Sequence, residues 1–127
     1  MEDKHAVAPM LRLQASSGAV LAALAIGLSA WAAHGLPPGR GQHNVLMASL
    51  FCFGHGVAWM ALARQAGNRC WMLGLGAQAI GVLLFCGSLL GNVLAGWPTR
   101  LAPAGGIALM AGWLLLAIAV WRPQQRG

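Results

Sequence analysis

The chain has 127 residues, only two of them acidic, and no tyrosine. Charged residues make up 8% of it, whereas a soluble globular protein carries about 25%. A soluble domain could not cover its surface with so few charges. Both acids, Glu2 and Asp3, lie at the N-terminus, so no apolar segment contains a carboxylate. This absence disfavours a proton-coupled transporter, because such proteins commonly rely on a carboxylate inside the membrane, although His55 could stand in for one.

The sequence also lacks the motifs that mark common catalytic sites. It contains no phosphate-binding loop, no metalloprotease motif and no nucleophile–base pair of recognisable spacing. The three cysteines, Cys52, Cys70 and Cys86, have no motif spacing, and we expect them to be small packing residues rather than disulfides or ligands. We therefore predict a protein that is not an enzyme, with no catalytic residue, no resident metal and no cofactor.

Long apolar segments fill most of the chain instead: 58% of the residues are hydrophobic and the mean hydropathy is +0.66. We predict membrane spans at 13–33, 43–63, 70–94 and 103–121, each close to the roughly 20 residues that cross a bilayer. Backbone groups in lipid must be satisfied internally, so the spans are helices. The predicted fold is an all-α, integral membrane, up-down bundle of four transmembrane helices, with a flexible tail at 1–12 and a second tail at 122–127.

Basic residues predict the orientation of this bundle. The net charge of +6 does not indicate a nucleic-acid partner, because the basic residues flank apolar segments rather than cluster on one face. Both termini and the middle loop are predicted to be cytoplasmic, since cytoplasmic loops are enriched in Lys and Arg. The cytoplasmic side holds Lys4, Arg12, Arg64, Arg69, Arg122 and Arg126, and the other side holds Arg40 and Arg100. We expect a multi-pass protein of the bacterial inner membrane, with the first span retained rather than cleaved as a signal peptide.

Small residues recur at helical spacing within the spans and predict where the helices touch, because helix association in lipid depends on close approach. The stripes are Gly18, Ala22, Ala25, Ser29 and Ala32; Gly74, Gln78, Gly81, Phe85, Ser88 and Asn92; and Gly105, Ala108 and Gly112. The second span is bulkier, but one face of it holds Ala48, Cys52, His55 and Trp59. Four tryptophans near span ends are predicted to be interface anchors: Trp31, Trp71, Trp97 and Trp121.

His55 is the leading candidate for a functional residue, because an ionisable group near the middle of a span is costly. One interpretation is a neutral histidine that bonds to Gln78, Ser88 or Asn92 on another helix. The other is a role in ligand, quinone or haem binding or in proton handling. These four residues form the candidate buried polar site.

A second candidate is the pair of histidines that flank the first outer loop, His34 and His43. Two imidazoles can begin a metal site, but a closed zinc site needs about four ligands. No acid or cysteine is predicted on that side, so polar loop contacts are the simpler interpretation. His43 is 12 residues from His55, roughly 18 Å along a helix, and is no second ligand for a haem held there.

Several short segments, in order along the chain, resemble the YgdD-like family of small inner-membrane proteins, a family of unknown function (domain of unknown function 423) with mitochondrial relatives. The segments are Ala33-His34-Gly35-Leu36, His55-Gly56-Val57-Ala58, Leu84-Phe85-Cys86-Gly87-Ser88-Leu89, and Pro103-Ala104-Gly105-Gly106 followed by Gly112-Trp113. The family tends to have Tyr-Gln shortly before the second of these, where this chain has Phe51-Cys52. The resemblance implies a four-helix membrane protein and no established reaction.

Three functions remain open on this basis. The first is a structural or accessory subunit of a larger membrane complex, or a homo-oligomer, with the lipid bilayer as its surroundings. The second is a small oligomeric transporter or channel. The third is a quinone- or haem-binding protein that uses His55.

Overall fold

The computed structural model describes residues 3–65 and 67–123, which form four long helices. The helices are α1 (Asp3–Gly35), α2 (Arg40–Leu62), α3 (Arg69–Ala95) and α4 (Ala102–Val120), and a short 3-10 turn at Thr99–Leu101 precedes α4. Each long helix contains a segment long and apolar enough to cross a membrane. The chain is therefore an all-helical, multi-pass membrane protein, as the apolar spans predict.

The first helix starts earlier than the sequence indicates. The predicted span begins at residue 13 after a flexible tail, whereas α1 begins at Asp3 and its membrane-crossing segment begins at Pro9. Apolar length marks where a helix enters lipid, not where its hydrogen bonds begin, and the alanine, leucine and methionine of this stretch are good helix formers. Met1, Glu2 and residues 124–127, which include most of the predicted C-terminal tail, lie outside the described residues.

Specific residues set the other helix boundaries. The Asn68 side chain accepts a hydrogen bond of 3.0 Å from the backbone N–H of Trp71 and caps α3. Gly96 ends α3 in the left-handed conformation, with φ of 68°. Pro103 lies in the first turn of α4, where its missing N–H has no intrahelical role. The three connections are short, so consecutive helices run antiparallel.

The helices form an open row rather than a closed bundle. Among the described residues, close backbone contacts join α1 to α2, α2 to α3 and α3 to α4, and none joins α1 to α4. The tightest pairs are the two hairpins, α1 with α2 and α3 with α4. One side of α1 therefore has no neighbour within the described chain.

The α1/α2 hairpin has a seven-residue repeat on each helix. Gly18 lies against Gly56, and a Cβ atom at Gly56 would be 2.6 Å from the Gly18 carbonyl oxygen. One repeat further, the Ser49 hydroxyl donates to the Ala25 carbonyl at 2.7 Å. One more repeat brings the Gln42 side chain to the Ala32 carbonyl at 3.0 Å. This spacing keeps one face of each helix on its partner, as in a left-handed antiparallel pair.

The α3/α4 hairpin also depends on glycines seven residues apart. Gly81 lies opposite Gly105, and Gly74 lies opposite Gly112. A Cβ atom at Gly105 would be 2.9 Å from the Gly81 oxygen, and one at Gly112 would be 2.8 Å from the Gly74 oxygen. The two backbones therefore touch directly, and the small residues predicted on α1, α3 and α4 lie at helix contacts. On α2, Gly56 and Ser49 meet α1, and the predicted face of α2 does not include them.

Large apolar side chains cover the outer surface, as expected for a surface that faces lipid. Leu83 and Leu94 on α3 are 73% and 71% exposed. Trp97 and Trp121 are also exposed, in agreement with interface anchoring. Trp71 differs from its predicted role, because its ring is buried against Leu116 and Ala119. Its neighbour Gly67 has no side chain, which leaves room for the indole.

Candidate functional site

His55 makes two hydrogen bonds that together fix its protonation pattern. The indole N–H of Trp113 on α4 donates to Nε2 of His55 at 3.1 Å. An indole N–H only donates, so Nε2 must be unprotonated and accept this hydrogen bond with its lone pair. The other nitrogen, Nδ1, lies 2.8 Å from the Phe51 carbonyl, which only accepts, so Nδ1 carries the proton. His55 is thus a neutral imidazole with both nitrogens occupied.

The partners of His55 differ from those that the sequence suggests. It bonds to Trp113 and to the backbone of its own helix, and not to Gln78, Ser88 or Asn92. Its hydrogen bond to Trp113 links α2 to α4 across α3, although these two helices have no close backbone contact. The arrangement fits the interpretation of His55 as a structural histidine. The Nε2 lone pair that a haem iron would need accepts the hydrogen bond from the Trp113 indole instead.

Gln78 belongs to a different polar bridge, between α2 and α3. It is fully buried, and its side-chain oxygen accepts a 3.1 Å hydrogen bond from the Trp59 indole. The Trp59 carbonyl in turn accepts from the Gln14 side chain at 3.1 Å, so the bridge reaches α1. The Gln78 amide nitrogen has no hydrogen-bond partner among the described residues.

Asn92 forms the polar bridge at the opposite end of the same seam. Its side-chain oxygen accepts from the Asn44 amide at 3.1 Å, which joins α3 to α2. Its own amide donates to the Trp97 carbonyl at 2.8 Å, which fixes the turn after α3. Asn92 therefore provides hydrogen bonds to one side-chain group and one backbone group at the point where the chain leaves the membrane.

The remaining candidates are not brought together with these residues. Ser88 is buried, and its hydroxyl has no partner among the described residues. His34 and His43 are both exposed, at the end of α1 and the start of α2. In the described part of the chain, no group of three or more His, Cys, Asp or Glu side chains could hold a metal ion. The histidine pair therefore finds no third ligand there.

A cleft of about 580 Å³ opens at the end of the molecule where α2 and α4 begin. The start of α2 forms one wall with Arg40 and His43, and the start of α4 forms the other. Phe85 and Leu89 on α3 form its floor, and Asn92 lies on the same helix face nearer the rim. The cleft brings together two of the sequence candidates, His43 and Asn92, in one place.

Near the floor of the cleft, aromatic side chains connect α2 with α3 and α4. The ring centroids of Phe51 and Phe85 are 4.5 Å apart, and those of His55 and Trp113 are 5.8 Å apart. Sequence reasoning did not single out Trp113 or Arg40 as site residues. The Gly112-Trp113 pair is part of the family resemblance, but no sequence pattern shows that its indole faces His55.

The similarity of this chain to known proteins covers most of its length. Residues 28–106, more than half of the chain, match the family described as "Protein of unknown function (DUF423)". The chain is also similar to UPF0382 membrane protein SAB0533 of Staphylococcus aureus, with 29% identity over 112 residues, which cover 83% of this chain and 92% of the relative. No solved structure shows a significant match.

Proposed function

We infer a role for this chain, which belongs to the DUF423 family of proteins of unknown function, from the surfaces that its helices leave open. We propose that it is a non-enzymatic accessory subunit that packs against a larger complex in the bacterial inner membrane, with both termini cytoplasmic. The observation that carries this proposal is the position of α1, whose only close helix neighbour in the described chain is α2.

The burial of the helices supports this inference. In the apolar 18-residue stretch of α1 that would cross the membrane, only 17% is buried within the protein, compared with 39% in the corresponding stretch of α3. The uncovered side of α1 also carries a stripe of exposed small residues: Ser16, Ala23, Gly27 and Ala30. A Cβ atom at Gly27 would meet nothing within 4 Å. Because small residues allow two helices to approach closely in lipid, this face of α1 suits contact with a second membrane helix. The face carries no charge, so the partner helix should be apolar as well.

Site-specific photocrosslinking in native membranes tests the proposal. A photoreactive amino acid at Gly27 should form a crosslink to another protein, because this face contacts the partner helix. The same amino acid at Leu83, an exposed position on α3 outside the proposed face, should react with lipid only. Equal crosslinking from both positions, or none from Gly27, would contradict the proposed contact.

Two substitutions separate a lost contact from a misfolded protein. Gly27→Leu adds bulk to the proposed face, and Gly76→Leu adds the same bulk to an exposed face of α3 where a Cβ would also meet nothing within 4 Å. Both variants should accumulate in the membrane. Only Gly27→Leu should reduce co-isolation of the larger complex in mild detergent. If both reduce it equally, α1 is not the contact surface.

A small oligomeric transporter or channel is the second candidate. The cleft between the starts of α2 and α4, which we call the outer cleft, favours it. The cleft opens at one end of the membrane domain, and the hydrogen bond from Trp113 to His55 lies beneath it. On this interpretation, opening would require that bond to break. Transport assays on His55→Phe, which keeps an aromatic side chain but removes both ring nitrogens, would show altered flux while expression stays normal.

A further inference from the structure

The outer cleft has a charged rim and an apolar floor. Arg40 and His43 lie at the rim, beside the amide groups of Asn44 and Asn92. Phe85 lies seven residues before Asn92 on α3, which places it about 10 Å deeper. A ligand that fills the cleft must therefore be polar at one end and apolar at the other. The volume, about 580 Å³, is in the range of small-molecule sites, which is about 300–1,000 Å³.

The charge at the rim is positive from several sources. Arg40 is the first residue of α2, and α4 begins on the opposite wall of the same cleft. Neither helix has an acidic residue in its first turn or a side-chain cap at its N-terminus. Helix N-termini carry partial positive charge, which adds to that of the guanidinium. The described residues place no carboxylate in the lining of this cleft, so the positive charge is not balanced there.

The deep part of the cleft is lined by a glycine and by hydrocarbon side chains. Gly106 on α4 lines it, and a Cβ atom there would meet nothing within 4 Å. Leu89 and Phe85 present hydrocarbon on the opposite side. Phe85 is in turn packed against Phe51 of α2, with ring centroids 4.5 Å apart. A hydrocarbon chain fits this floor, whereas a free inorganic anion would leave it empty.

We propose that this cleft binds one anionic phospholipid, with its headgroup phosphate at Arg40 and the start of one acyl chain along the α3 floor. The source is the surrounding membrane, which supplies such lipids at high local concentration. The bound lipid fills the space between the starts of α2 and α4, two helices that have no close backbone contact in the described chain and that the Trp113–His55 hydrogen bond joins deeper in the membrane. It would thus complete the packing of the two hairpins at this end of the protein.

Native mass spectrometry of the full chain in detergent tests the proposal with phosphatidylglycerol and phosphatidylcholine of identical acyl chains. The protein should retain one phosphatidylglycerol in preference to phosphatidylcholine. Arg40→Gln should reduce that preference by about fivefold, the weight of one basic residue at an anionic lipid surface. Equal retention of the two lipids by the wild-type protein would overturn the proposal.

Matched variants separate the cleft from general surface charge. Arg100→Gln removes an exposed arginine that does not line the cleft, and it should leave the preference unchanged. Gly106→Leu places a large side chain in the cleft from the α4 wall, so it should reduce retention of both lipids. Gly87→Leu, on an exposed part of α3 outside the cleft, should not change retention. Equal effects of Arg40→Gln and Arg100→Gln would mean non-specific attraction and would overturn the site.

Inorganic phosphate provides the last arm of the experiment. Millimolar phosphate should fail to displace the lipid, because it gains nothing from the apolar floor. Displacement by phosphate alone would show a simple anion site and contradict the lipid assignment. Arg40→Lys retains the charge and should keep most of the preference for phosphatidylglycerol. That result would show that replacing Arg40 does not by itself misfold the protein, so the loss in Arg40→Gln would come from the missing charge. If Arg40→Lys loses as much as Arg40→Gln, the charge is not what selects the lipid.

Discussion

Direct backbone contact between α3 and α4 predicts that a single methyl group at Gly105 will destabilise the protein. A Cβ atom there would lie 2.9 Å from the Gly81 oxygen and 2.9 Å from the Phe85 Cα, and it would overlap the Phe85 backbone nitrogen. All three are backbone atoms, so no side chain can rotate away. The helices would have to separate by about 1 Å at the Phe85 nitrogen to restore ordinary contact, and overpacking of this kind costs about 1–3 kcal/mol.

The adjacent residue supplies a matched control. A Cβ atom at Gly106 would meet nothing within 4 Å, so Gly106→Ala introduces the same methyl group without a clash. Both variants gain the helix propensity of alanine, about 1 kcal/mol relative to glycine, and this gain cancels in the comparison. Gly105→Ala should therefore have a free energy of unfolding about 1–3 kcal/mol lower than that of Gly106→Ala.

Equilibrium unfolding in mixed micelles, followed by tryptophan fluorescence, measures this difference directly. The six tryptophans make the signal strong without a label. If the two variants unfold within about 0.5 kcal/mol of each other, the α3/α4 backbones do not touch at Gly105, since distant and independent effects agree to that precision. The glycine pairs would then have no role in holding the hairpin.

Two further predictions concern polar contacts, and a third concerns the orientation of the chain in the membrane. Trp113→Phe should lower the free energy of unfolding by about 1 kcal/mol, typical of a hydrogen bond in a membrane protein, and should add little in a protein that already carries His55→Phe. Asn68→Ala should cost about 2 kcal/mol in the same unfolding assay, because this side chain both caps α3 and donates to the Ala119 carbonyl at 3.0 Å; Asn68→Asp, which keeps the cap but loses the donor, should cost less. Reporter enzymes fused to either terminus should both report the cytoplasm, and opposite locations would contradict the positive-inside assignment.

Hydropathy and spacing predict much of this fold, because lipid imposes strong rules. A span must be helical and about 20 residues long, and small residues mark its contact face. The faces containing Gly18 and Gly81 are accordingly identified from sequence. The start of α1 at Asp3 is not, because helix formation outside the lipid leaves no hydropathy signal.

Pairing between side chains is much harder to predict from sequence. Spacing shows which residues share a face of one helix, but not how far a neighbouring helix is shifted along its axis or rotated about it. A shift of one turn would give His55 a different partner. The Gly81–Gly105 contact fixes that register between α3 and α4, and together with the packing of α2 on α3 it brings Trp113 to His55. The cleft is equally invisible in the sequence, since it arises between the starts of two helices that are 62 residues apart (Arg40 and Ala102).

The mass of the protein in native lipid particles, extracted with a polymer rather than detergent, tests the proposed accessory role most directly. We predict particles that contain a second membrane protein in fixed ratio, with a mass well above that of the 13.2 kDa chain. Assemblies built only from copies of this chain would favour the oligomeric transporter instead. Particles with a single chain and lipid alone would contradict the proposal that α1 is covered by a partner.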